Sequence, residues 1–396
     1  IIDGGGVGRV IYMNPQTTTI DTTTLIRGFK VTNGGNVVNG GGIYLRNSHP
    51  RLNLISIQNN STTYVGGSGS GGGMYLENSN PTINSLNITG NEAGRSGGGM
   101  YLTNSSPILT NIEINSNNAY GLGWGGGLML EDQSNALLRN VNIYENITGS
   151  LGEGAGISIH SSNPSLTDVN IYENATGYAG RGGGMYLQSS NPNLNGVNIY
   201  KNIAHAEGGG MHIYVSAPIV HDVKIFDNMA DENGGGINIL SSGIILDGCS
   251  IMNNTSNKGG GIYVVWGSHV IRRSNILNNH SSQQSNGLYI STGTVEIDSC
   301  NIVNWGNSIY NNDNSTYVTA INNWFGKMSG PFHPIQNPSG LGDSTNAFVN
   351  VTPWLTAPDT DAPPISAQNV AVTGTGNDFV SLNWDSSPLG DFAGFK

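Results

Sequence analysis

The chain has 396 residues, 59 of them glycine and only 10% charged, with a formal net charge of −11. Fifteen Lys and Arg without a basic run exclude the cationic surface that nucleic-acid binding needs. No run of 18 apolar residues exists to span a membrane, no Gly-X-Y period marks a collagen, and two cysteines cannot make a disulfide scaffold.

The sequence opens inside a strand-like pattern, Ile1-Ile2-Asp3-Gly4-Gly5-Gly6, and stops at Lys396 inside another, so a piece of a longer precursor is expected. From Gly40 onward the chain repeats itself. Glycine triplets begin at Gly40, Gly71, Gly97, Gly125, Gly182, Gly208, Gly234 and Gly259. Gly154-Ala155-Gly156 and Ser285-Asn286-Gly287 fill the two gaps, giving ten units of 25 to 31 residues. Three residues into each unit stands an aliphatic side chain such as Ile43, Met74 or Met100, and five residues in stands another. Twelve residues in comes Leu52, Ile83, Leu109, Leu166 or an equivalent. Seventeen in comes isoleucine every time, from Ile57 to Ile302. The Gly125 unit carries one inserted residue, so its equivalents are Leu138 and Ile143. Asparagine stands twenty residues in, as at Asn60, Asn91, Asn117, Asn174 and Asn202, and the length variation falls after it.

These are three short period-2 runs per unit, separated by turn residues. No unit holds a ten-residue helical stretch. One unit cannot enclose a core, but stacked units can, with like residues about 4.8 Å apart. Parallel connections of this kind are right-handed. Pro50, Pro81, Pro107, Pro164, Pro192 and Pro218 share one offset before the second strand, where a missing N–H is tolerated. Asn111, Asn140, Asp168, Gly196, Asp222 and Gly248 share another, suited to a left-handed bend between the second and third strands. The expected fold is all-β: a right-handed parallel β-helix solenoid of about a dozen rungs, with the asparagines as an inward ladder. Cys249 and Cys300 fall on one inward offset two rungs apart, with Ser274 between, and so are expected as buried free thiols.

The unit Gly-Gly-Gly-Met-Tyr-Leu…Asn-Pro-x-Leu…Val-x-Ile-x-x-Asn resembles the right-handed β-helix repeats of the pectin-lyase-like superfamily. It also resembles the repeats of polymorphic outer-membrane proteins, with isoleucine in place of phenylalanine. The resemblance covers residues 1–321 as helix and 322–355 as its C-terminal cap, where Asn323-Trp324-Phe325-Gly326 and Pro353-Trp354-Leu355 are similar to segments that close bacterial β-helices. A Pro/Asp linker, 356–365, follows. Residues 366–396 resemble the start of a fibronectin type III domain, with Trp384 as its buried tryptophan, but are too few to close a sandwich.

Chemistry-bearing residues are sparse. Gly121-Leu122-Gly123-Trp124-Gly125-Gly126 matches a dinucleotide fingerprint, yet no helix follows it. His160 and His212 stand at different offsets, so no metal site is expected from them. Glu145 and Glu173 should stack one rung apart, with Lys201 and Asp227 on the next two. A solvated column is the plain reading; a calcium site, or Glu145 and Glu173 as an acid/base pair, is the sharper one. Asp247, Arg272 and Asp298 should make a cross-rung ion ladder. Outward aromatics form two columns: Tyr44, Tyr75, Tyr101, Tyr186, Tyr263 and Tyr289 on the first strand, and Tyr144, Tyr172, Tyr200 and Phe226 on the third. The second column is the candidate binding surface, for a glycan or a neighbouring protein subunit.

The functional expectation is a non-catalytic secreted or cell-surface protein: a surface, filament or adhesion module, without a cofactor. The alternative, implied by the superfamily resemblance, is a polysaccharide lyase or glycoside hydrolase. The acids and free arginine that such a lyase needs on one face do not assemble from these residues.

Overall fold

The computed structural model describes residues 1–16, 20–63 and 68–365, with the strand segments 371–375 and 380–383. The chain winds into about 12 turns of a right-handed parallel β-helix. Like residues pair with like. Met100 lies between Met74 and Leu128, and Ile114 between Ile88 and Ile143. The ten inward isoleucines from Ile57 to Ile302 are all fully buried, in one column of a continuous core.

The corners of each rung are left-handed. Asn111, Asn140, Asp168, Gly196, Asp222 and Gly248 take φ of 56, 53, 54, 64, 52 and 65°, as their turn chemistry anticipates. Leu54 and Arg273 hold φ of 55 and 47° at the same corner without that chemistry, at a cost of about 1 kcal/mol each. The triplet glycines answer a second constraint. A Cβ at Gly72 would stand 2.5 Å from the Glu92 carbonyl oxygen, and one at Gly73 2.6 Å from that of Gly99. Neighbouring rungs therefore meet there backbone to backbone.

Two polar ladders run inside the coil. Each ladder asparagine from Asn60 to Asn279 donates its backbone N–H to the Oδ1 of the next, at 2.9–3.1 Å. The second ladder was not anticipated. Ser48, Ser79, Ser105, Ser134, Ser162, Ser190, Ser216 and Ser242 are buried at the first-to-second-strand corner. Each backbone N–H before Ser242 donates to the hydroxyl of the next serine, at 2.9–3.2 Å. Cys249 and Cys300 are buried free thiols, as the register requires. Burial pushes the Cys249 thiol up to about 12 and raises that of Cys300 as well.

The variable segments after the asparagines are also ordered. Glu92–Ala93, Asn118–Ala119 and Ile147–Thr148 form a small parallel sheet, and Ile203–Ala204, Met229–Ala230, Thr255–Lys258 and His280–Gln284 form another. Residues 322–355 do more than cover the end. Gly342–Thr345 and Val349–Asn350 pair onto the preceding strands and add a further rung. The Asp343 carboxylate accepts the backbone N–H of Asn304, where the next ladder amide would stand. Burial raises its pKa, against the hydrogen bonds it accepts from Ser308 and backbone N–H groups.

The 356–365 segment is not a free linker. It folds back over the third-strand face of the last rungs, where Ala362 is buried. Beyond it, Ala371–Thr375 pairs antiparallel with Val380–Asn383; Trp384 lies outside the described residues. No helix among the described residues is long and apolar enough to cross a membrane.

Candidate functional site

The third strand turns its odd residues into the core and leaves two outward columns. One is the expected aromatic column. Tyr144, Tyr172, Tyr200 and Phe226 are half-buried and stack with centroids 4.8, 4.9 and 4.8 Å apart and planes within 5–6°. The rung spacing sets that distance. Parallel rings at rung spacing turn their faces to one another along the helix axis, so edges and phenol hydroxyls are left for a ligand. Burial, reinforced by the neighbouring phenols, pushes the Tyr172 hydroxyl up to about 12, so it remains a hydrogen-bond donor.

The other outward column is carboxamide. Asn198 Nδ2 donates to Asn170 Oδ1 at 2.8 Å, Asn170 Nδ2 to Asn142 Oδ1 at 2.8 Å, and Asn142 Nδ2 to Glu113 Oε1 at 2.7 Å. At the corner beside the rings stand Glu145, Glu173, Lys201 and Asp227, all exposed and all left-handed, with φ of 53 to 56°. Ser116 donates to Glu145 at 3.1 Å, and Lys201 lies 3.5 Å from Glu173. Both carboxylates are solvated and separately partnered, which is not the shielded setting of a tuned acid. Among the described residues no three His, Cys, Asp or Glu side chains converge to hold a metal ion.

The first-strand aromatics are placed differently. Tyr44, Tyr186 and Tyr289 are outside the core yet buried. On four successive rungs the residue before the unit's first glycine folds over this column. Trp124, Glu153, Arg181 and Glu207 occupy that position on successive rungs. They meet His160, Tyr186 and His212, which the structure brings together: His160 lies 5.7 Å from the Tyr186 ring, and Tyr186 stacks on His212 at 5.2 Å. Arg181 sits between two acids, 3.9 Å from Glu153 and 3.4 Å from Glu207. Burial raises the Glu153 carboxyl above its ordinary range, with Arg181 opposing. Burial lowers His160 to about 4, and burial with Arg181 lowers His212 to about 3. His212 is therefore neutral, and its 3.8 Å approach to Glu207 is not an ion pair. Its Nδ1 has no hydrogen-bond partner. Sequence reasoning passed over this cluster, though Glu, Arg and Glu in succession before the first glycine of three units was a legible signal.

The ion ladder is rearranged. Burial alone would raise Asp247, but Arg273 and Arg272 outweigh it and hold the carboxyl below its usual range. Asp298 accepts from Asn322 Nδ2 at 2.9 Å instead.

Stacked parallel rungs, inward amide and hydroxyl ladders and a capped last turn define a right-handed parallel β-helix solenoid. The chain belongs to the right-handed β-helix family, whose right handed beta helix region matches residues 9–220, 122–275 and 155–325. No curated protein and no solved structure matches it significantly.

Proposed function

We propose that this chain is a non-catalytic extracellular scaffold, a surface, filament or adhesion module, that binds a ligand along its third-strand face. The observation that carries the reading is the uncovered column Tyr144, Tyr172, Tyr200 and Phe226, flanked by a carboxamide ladder and by Lys201 and Lys224. It is regular over four rungs and offers ring edges, hydroxyls and amides at one spacing. The ligand is an extended glycan or a neighbouring polypeptide. The resemblances to pectin-lyase-like and outer-membrane repeats, and to the start of a fibronectin type III module, support a secreted or cell-surface setting. The test is binding of the chain to a glycan array and to a second copy of itself, with the Tyr172→Ala/Tyr200→Ala variant alongside. Loss of retention in the variant is expected; equal retention refutes the reading.

A carbohydrate-active enzyme is the second reading, and the Glu153–Arg181–Glu207 cluster favours it. A half-buried carboxyl with a raised pKa suits a general acid, and a second carboxylate stands across the arginine. Depolymerisation of a polysaccharide by the chain, abolished by Glu153→Gln or Glu207→Gln but not by Glu145→Gln, would establish that reading and displace the first.

A further inference from the structure

The outward face of the third strand already holds one polypeptide segment: the chain's own. Asn301 grips it with both ends of its carboxamide. Its Nδ2 donates to the Asp359 carbonyl at 3.1 Å, and its Oδ1 accepts the Asp359 N–H at 2.8 Å. One rung back, Asn275 Nδ2 donates to the Pro363 carbonyl at 2.7 Å. Leu355 and Ile365 pack against Leu277, Val303 and Trp324. The grip is on main chain, so it reads backbone shape and spacing more than side-chain identity.

The same two columns continue, rung by rung, away from the covered end. Asn301 and Asn275 pair back through Ser250 and Lys224 to Asn198; Val303 and Leu277 pair back through Met252 and Phe226 to Tyr200. Asn301 donates to Asn275 Oδ1 at 2.9 Å, and Asn198 donates to Asn170 Oδ1 at 2.8 Å. The covered and uncovered stretches are thus built alike. An asparagine side chain has two N–H donors and two acceptor lone pairs. The ladder uses part of that set. Asn301 directs the remainder to Asp359, while Asn170 and Asn198 keep theirs toward solvent.

We infer that the run from Asn142 and Tyr144 to Lys224 and Phe226 binds a proline-containing polypeptide segment through its main chain, as Asn275 and Asn301 bind residues 355–365. This rests on the binding-face reading above and selects polypeptide over glycan. Prolines and small apolar side chains would pack on the ring edges where Leu355 and Ile365 pack on Leu277 and Val303, and the outward amides would take the backbone.

The probe is a fluorescent synthetic peptide with the sequence of residues 355–365, titrated by anisotropy into the full chain. Saturable binding is expected, weakened at least tenfold by Asn170→Leu/Asn198→Leu and by Tyr172→Ala/Tyr200→Ala. All four positions face outward, so circular dichroism should report an unchanged fold. Asn301→Leu, at the covered end, should leave peptide binding intact. No saturable binding overturns the inference. So does binding that only Asn301→Leu abolishes, because the peptide would then merely exchange with the chain's own segment. If a glycan binds and depends on Tyr172 and Tyr200 while the peptide does not, the face is a glycan site and the polypeptide inference alone falls. If no ligand depends on those rings, both fall.

Discussion

Replacing Asn202 by alanine should destabilise the coil by about 1–3 kcal/mol, counted as one stranded buried donor. The side chain is fully buried in the middle of its ladder. Its Nδ2 donates to the Ile171 carbonyl at 2.9 Å and to Asn228 Oδ1 at 3.0 Å. Its Oδ1 accepts from the Asn174 backbone N–H at 3.1 Å and from Asn174 Nδ2 at 3.0 Å. Alanine leaves the buried Asn174 backbone N–H without an acceptor, while Asn174 Nδ2 keeps the Ile143 and Tyr172 carbonyls, each at 3.0 Å. Aspartate keeps the acceptor but loses the donor, and sets a carboxylate against Asn228 Oδ1 and the Ile171 carbonyl; at neutral pH it should cost more than alanine. Urea unfolding gives the total, and amide exchange at Asn174 gives the local part. Asn198→Ala, on the outward face four residues earlier, is the control and should stay within about 0.5 kcal/mol of the parent. An Asn202→Ala variant as stable as that control would refute the ladder's energetic role.

Other expectations follow from the same register. Ile199→Asp buries an unpaired charge in the isoleucine column and should cost several kcal/mol, seen as a large drop in unfolding temperature; an unchanged temperature would place that column outside the core. The folded-state pKa values of His160 and His212, about 4 and about 3, lie below the ordinary 6.5, so the unfolded chain binds more protons below that pH. Their contribution is complete above pH 6.5 and fades as pH falls toward the folded values, by roughly 1.4 kcal/mol per unit for each histidine. The His160→Asn/His212→Asn variant should lose that part of the acid sensitivity; an identical pH profile would contradict the buried neutral assignment. Native Cys249 and Cys300 should resist a thiol reagent and both react on unfolding, since burial raises their pKa values; rapid labelling of the native protein would refute this.

Fold was far more legible than site. The fixed offsets of Ile57 through Ile302 and of the ladder asparagines specify strand faces and register directly, because a period of two leaves one choice of inward side. The left-handed corners were readable where Asn, Asp or Gly stood, but not at Leu54 or Arg273, where neighbouring rungs impose the φ on an ordinary residue. The serine ladder was overlooked because serine at a turn is compatible with a solvated corner; only the stacked hydroxyls distinguish it. The ring column and its charged flank were placed correctly on consecutive rungs, whereas the parallel ring planes depend on rotamers that spacing does not fix. The burial of Tyr186 and His212 follows from Glu153, Arg181 and Glu207 folding across the first strand, and that of Tyr44 from Arg9 and Glu77. The packing of residues 356–365 onto Asn275 and Asn301 joins positions 58 to 88 residues apart, beyond any local signal.

The third-strand face is proposed to bind its ligand without cleaving it. The most direct test is one array carrying both extracellular glycans and proline-containing peptides, probed with the parent chain and with Tyr172→Ala/Tyr200→Ala, and then assayed for shortened products in the wash. Retention by the parent, its loss in the variant and intact ligands are predicted. Equal retention of both proteins, or shortened polysaccharide released by the parent, would contradict it.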